Sequence, residues 1–177
     1  YYYGKEAGAE YVRGVRKNIQ NDKPIIGHYD VNNEGSGDMY PKGANMLHTI
    51  RQVINDDAKW KSILRGLNKT FYHQTVTGKQ IQDYINTQSG INFNRVFAQY
   101  LTTTQIPVFE YIFKNGSFGY HWTNCVAKFD MPVKVNLNGE EIWLKPTTEW
   151  KSEKTTSDKR TVEVDKNFYV TSSNIVE

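Results

Sequence analysis

The sequence predicts an α+β protein: a helical unit over residues 1–105 followed by a small antiparallel β-sandwich domain over residues 106–177. Three observations carry this. Apolar residues recur at helical spacing as far as Leu101. The period shortens to alternation after Ile106-Pro107. Beyond that point the pairs Asn115-Gly116 and Asn138-Gly139 each separate two alternating runs, and Asn-Gly tolerates the positive φ that a tight hairpin requires.

The elements follow in order. Over Lys5–Gln20, the residues Tyr11, Val12, Val15 and Ile19 form an apolar stripe, with Arg13, Arg16 and Lys17 on the wet face. Tyr1 to Tyr3 read as the tail of a helix begun upstream. Asn21 to Gly37 carries Pro24, Gly27, Gly35 and Gly37 among Asn and Asp residues, the signature of a long ordered loop. Pro41 suits a first helical position, and Met46, Leu47, Ile50, Val53 and Ile54 make the stripe of the helix it starts. Asn55-Asp56-Asp57 ends that helix and caps the next, whose stripe is Trp60, Ile63, Leu64, Leu67 and Phe71. Thr77 and Gln80 fit a capping box ahead of Ile81, Tyr84 and Ile85, with Gly90 as the stop. A shorter helix from about Phe93 turns Val96, Phe97, Tyr100 and Leu101 inward. The strands are 108–114, 117–126, 131–137 and 140–144, then 161–164 paired with 167–170 around Asp165-Lys166; the polar stretch 151–160 reads as a loop.

A net charge of +3 over 177 residues does not call for nucleic acid or an anionic membrane as partner. No apolar run approaches the about 18 residues of a spanning helix. The single cysteine, Cys125, excludes an intramolecular disulfide and reads as a small half-buried strand residue. The chain opens without methionine or a signal peptide, so any targeting signal is expected upstream and the compartment stays open.

One stretch points to chemistry. Tyr40-Pro41-Lys42-Gly43-Ala44 places a tyrosine immediately before a helix and after a glycine-rich loop. It resembles the tyrosine motif of the M1 family of zinc aminopeptidases (gluzincins). The succession of helices to Leu101 and the exit Gln105-Ile106-Pro107-Val108 resemble the end of that family's thermolysin-like catalytic domain and its passage into a β domain. The resemblance implies that Tyr40 is catalytic, its hydroxyl stabilising the oxyanion formed when metal-activated water attacks a peptide carbonyl. A phenol, with a reference pKa of about 10, keeps the proton it must donate. Gly43 would allow close helix approach, and the loop from Ile25 to Asp38 would form part of the site wall.

The sequence departs from the family in two respects. Pro41 stands where members usually have Glu, a change compatible with a helix start. The His-Glu-x-x-His zinc motif is absent: no two of His28, His48, His73 and His121 are four apart. Glu34, in Asn33-Glu34-Gly35, lies downstream of where the family's third ligand falls and is read as coincidence. The expectation is therefore a fragment of a metallopeptidase acting on peptide substrates, with zinc and its ligands upstream, no metal held by this chain, and no activity in isolation. The apolar face that missing helices would cover is expected to drive self-association. The alternative is a non-enzymatic binding module for protein or glycan, with Tyr and Trp as contacts.

The remaining candidates have plainer readings. Lys42 is solvated or bonds a loop; His28 beside Asp30 makes a loop hydrogen bond; His48 lies at the core edge; His73 sits near helix carbonyls; Tyr120, His121 and Trp122 alternate across a sheet.

Overall fold

The computed structural model describes residues 3–28, 31–32, 34–154 and 160–175. Among the described residues, five α-helices precede seven strands: α1 (Gly4–Gly14), α2 (Pro41–Ile54), α3 (Asp57–Thr70), α4 (Gly78–Ser89), α5 (Asn94–Thr102), then β1 (Val108–Lys114), β2 (Ser117–Thr123), β3 (Val133–Leu137), β4 (Glu140–Leu144), β5 (Lys151–Lys154), β6 (Val162–Val164) and β7 (Thr171–Asn174). This is the expected α+β order, a helical unit followed by a small β unit of two sheets.

Local chemistry sets the helix ends. Pro41 opens α2, and Asn55 closes it in the left-handed region at φ 50°. The Asp56 side chain accepts from Lys59 N and caps α3. Thr77 and Gln80 form the full reciprocal box at α4, which Gly90 ends at φ 75°. Helices α3 and α4 approach closely because Gly66 has no side chain: a Cβ there would stand 2.0 Å from the Tyr84 hydroxyl.

One sheet has the order β5-β2-β1-β7, the other β4-β3-β6. All pairings are antiparallel except β1 with β7, which is parallel. Both Asn-Gly pairs make the β1–β2 and β3–β4 turns with positive φ at each residue. Alternation buries Phe109 on β1 and Phe118, Tyr120 and Trp122 on β2, which join Val133, Val135 and Leu144 of the second sheet in one apolar cluster. The cluster continues through Phe97 and Tyr100 of α5 to Met46 and Ile50 of α2.

Several expectations are corrected. Gly4 begins α1 and Tyr3 precedes it, so Tyr3 is no helix tail; Tyr1 and Tyr2 lie outside the described residues. The helix stops at Gly14 and tightens into a 3₁₀ turn over Val15–Asn18, with Ile19 already extended. Tyr11, placed on its apolar stripe, is 74% exposed, because α1 buries Ala9 alone and meets the body through polar bonds of Arg13 and Arg16. Leu64 is likewise exposed. β2 ends at Thr123, where Asn124 turns the chain with φ 49°.

The stretch 151–160 contains a strand: β5 pairs with β2 through Tyr120↔Lys151 and Gly119↔Ser152, while residues 155–159 lie outside the described set. The hairpin drawn between 161–164 and 167–170 does not form. β6 pairs with β3 instead, and the helices capture the residues after it. Tyr169 N donates to Thr49 Oγ1 at 3.0 Å, and the Tyr100 hydroxyl donates to Tyr169 O at 2.6 Å. The strand that follows, β7, begins only at Thr171.

Candidate functional site

Tyr40 is the N-cap of α2. A single 3₁₀ turn, Gly37–Met39, delivers the chain to it, and Tyr40 O accepts the helical bond from Ala44 N at 2.9 Å. Its side chain is 78% exposed. The backbone beneath this exposed phenol is held unusually firmly. Among the described residues, the buried polar or charged side chains are Ser36, Asp38, Lys42, Asn45, His48, Thr49, Ser89 and Gln99, and all but the last two fall between 36 and 49. Burying a polar group is unfavourable unless it is hydrogen-bonded, so such a concentration demands specific partners.

Those partners are present. The Asp38 carboxylate accepts from Gln20 N at 2.9 Å and from Asn21 N at 2.6 Å, closing the base of the 21–37 loop. Ser36 Oγ accepts from Asp38 N and donates to Asp22 Oδ1 at 2.6 Å. Lys42, fully buried, donates from Nζ to Thr103 O at 2.7 Å and so ties the start of α2 to the end of α5. Burial depresses its pKa, and the Asp38 and Asp22 carboxylates oppose that effect. Asn45 Nδ2 donates to Val12 O and to Pro41 O, while its Oδ1 accepts from Arg16 Nε at 2.6 Å. One turn on from Asn45, His48 Nε2 lies 3.2 Å from Asn167 Oδ1, which also accepts from Arg13 Nη1 at 2.6 Å. Burial depresses the His48 pKa, and the neighbouring arginines add to this.

The described ends of the loop are folded against the body. Ile26 N donates to Leu101 O and Ser36 N to Pro24 O. Gly35 has φ +75°, and a Cβ there would meet Ile25 O at 2.2 Å, so only glycine fits. By contrast a Cβ on Gly43 would meet nothing within 4 Å, so the close approach expected of Gly43 does not occur.

Lys42 was expected to be solvated or to bond a loop; it makes the loop bond and is not solvated. His28 and Glu34 are exposed, and Asp30, its supposed companion, lies outside the described residues. His73 stands past α3 at φ 51°, stacked on Tyr72. Cys125 is half-buried but follows the end of β2, and burial pushes its thiol up to about 11. Among the described residues, no group of three or more His, Cys, Asp and Glu side chains could hold a metal ion, so the residues present do not fit a zinc centre.

A second polar cluster lies on the sheet face opposite Phe109 and Trp122. His121 Nε2 is 3.0 Å from Glu110 Oε2, and the imidazole stacks on Trp150 with centroids 3.8 Å apart. Trp150 is 49% exposed and lies beside Gly119. Sequence reading placed Tyr120, His121 and Trp122 on alternate faces correctly, but the Glu110 and Trp150 partners come from other strands and loops. The missed residues at the first site are Asp38 and Asn45, and their only signal is a polar identity at positions that a helix-entry turn brings inward.

No family model matches the chain, and no curated protein matches it. A solved structure does: the crystal structure of Legionella pneumophila aminopeptidase A in complex with aspartic acid superposes with a TM-score of 0.62 over 80% of this chain, at 11% identity. The chain spans 18% of that structure's length. At this identity the likeness establishes a common fold and nothing of the chemistry. Most of the arrangement of helices and sheets described above is thus a fold that also occurs within that larger structure. Among the described residues no helix is long and apolar enough to cross a membrane.

Proposed function

We propose that this chain is the C-terminal catalytic-domain segment and following β domain of an M1-type zinc aminopeptidase, with Tyr40 as a catalytic group. The observation that carries the reading is the exposed phenol of Tyr40 on a rigid helix entry, within a fold that an aminopeptidase shares. In this reading Tyr40 Oη donates a hydrogen bond to the scissile carbonyl oxygen as negative charge develops on it. A donor fixed before the reaction stabilises that charge without reorganising. The metal and the residues that recognise the substrate amine would belong to a part of the protein outside this chain, and the 177 residues alone would be inactive. The experiment is Tyr40→Phe in the metal-bearing parent, read as kcat on a peptide substrate; activity within a few-fold of the parent's would refute the role.

A second reading, a binding module for protein or glycan, is favoured by Trp150, whose indole is backed by His121 and half exposed. The gene upstream of Tyr1 discriminates the two. A His-Glu-x-x-His followed by a downstream Glu supports the enzyme, and its absence supports the module. Self-association is proposed through the exposed Tyr3, Tyr11, Met39 and Tyr40. Sedimentation showing a strict monomer at high concentration would exclude it.

A further inference from the structure

We infer that Asp38 and Lys42 are a buried positioning pair that fixes where Tyr40 stands, coupling it to the base of the 21–37 loop on one side and to the end of α5 on the other. The inference rests on the reading of Tyr40 as the working group of this face.

The two residues flank Tyr40 symmetrically, two before and two after it. Asp38 is 3% exposed and Lys42 is 0% exposed, although the tyrosine between them is 78% exposed. Each spans a long sequence distance: Asp38 binds the amides of Gln20 and Asn21, and Lys42 binds Thr103 O. The chain entering Tyr40 is thereby tied to the loop base, and the chain leaving it to the C-terminal turn of α5. Both ties act on the same short stretch of backbone, one on each side of Tyr40. A buried backbone group left without its partner is unfavourable, so removing either side chain should loosen the turn that both hold. The Tyr40 side chain makes no capping bond to α2, and the backbone on either side of it is what these two residues hold. A hydrogen-bond donor misplaced by about 1 Å loses much of its effect, which is why groups like this pair are found under working side chains.

The test uses the 177-residue chain and four variants: Asp38→Asn, Lys42→Met, the double variant, and Thr49→Val as control. Thr49 is a buried polar residue of the same helix whose loss breaks the bond from Tyr169 N, and it lies nine positions beyond Tyr40. The readouts are the amide exchange rate of Ala44, bonded to Tyr40 O, the NMR signals of the Tyr40 ring, and global stability by denaturant. Expected is an increase in Ala44 exchange of about tenfold or more in each single variant, with a shifted or broadened Tyr40 ring signal. In the double variant the effect should be smaller than the product of the two singles, since both ties hold the same turn and the first loss already frees it. Thr49→Val should lower stability yet leave both Tyr40 readouts in place. The inference is overturned if the Asp38 and Lys42 variants alter Tyr40 no more than Thr49→Val does at equal stability, if the two effects simply multiply, or if both variants unfold the chain while Thr49→Val does not. Failure here is distinct from failure of the functional reading: Tyr40→Phe activity decides the latter, and the Ala44 and ring signals decide the former. In the metal-bearing parent, the positioning role further requires that Lys42→Met lower kcat with KM within a few-fold.

Discussion

The β1–β2 hairpin and the segment from Ser36 to Thr49 are both densely buried, but by opposite chemistry. In the hairpin, Phe109, Phe118, Tyr120 and Trp122 pack as aromatic neighbours with ring centroids 5.3–6.0 Å apart. In the segment, Asp38, Lys42, Asn45, His48 and Thr49 are buried in hydrogen bonds to backbone and side chains from five other places in the chain. Apolar burial is non-directional and tolerates repacking. A polar network has defined directions and distances, and it fixes one arrangement at the expense of stability. The hairpin supplies cohesion; the polar segment fixes the course of the backbone, and at its entry, between Asp38 and Lys42, Tyr40 is left exposed to solvent.

Substitutions should separate the two regions. Trp122→Ala removes a side chain that is 1% exposed and its bond from Nε1 to Met131 O, and should destabilise the chain by about 3–5 kcal/mol in urea unfolding. Asn45→Ala strands the Val12 carbonyl and Arg16 Nε and should lose about 2 kcal/mol. If the Asn45 variant lost more than the Trp122 variant, the division into cohesion and placement would be wrong. Thr77→Ala, which breaks the α4 capping box far from both regions, should lose about 1 kcal/mol and leave the Ala44 amide unaffected.

The smallest effect is one of pH. Burial and nearby arginines hold the pKa of His48 below its ordinary value, so the folded state binds that proton less readily than the unfolded chain. A histidine whose folded pKa is depressed favours the folded state above the unfolded pKa of about 6.5, and that contribution falls as pH drops below it. The urea midpoint should therefore decline between pH 7.5 and 5.5, and His48→Gln should flatten that part of the slope. An unchanged slope in His48→Gln would show that other groups carry it.

Much of the fold was legible in the sequence because its signals are local. Pro41, Thr77 with Gln80, Gly90 and the two Asn-Gly pairs specify boundaries through backbone geometry within four residues. The errors fall where partners are distant. Residues 167–170 look like a strand until Thr49 and Tyr100 take the backbone bonds of Tyr169. Lys151–Lys154 looks like a loop because all four residues are exposed, and only pairing with β2 makes it a strand. The place of Tyr40 at the start of a helix was legible through Pro41, whereas the network under it was not. A buried lysine has the same local pattern as a solvated one until its acceptor, Thr103 O, arrives from 61 residues away.

The most direct test of the central claim is Tyr40→Phe in the metal-bearing parent, with kcat and thermal stability measured together. An exposed side chain without a cap bond should leave the melting temperature unchanged, while loss of a transition-state donor should lower kcat by on the order of 10²–10³-fold. A kcat within a few-fold of the parent's, at unchanged stability, would contradict the account.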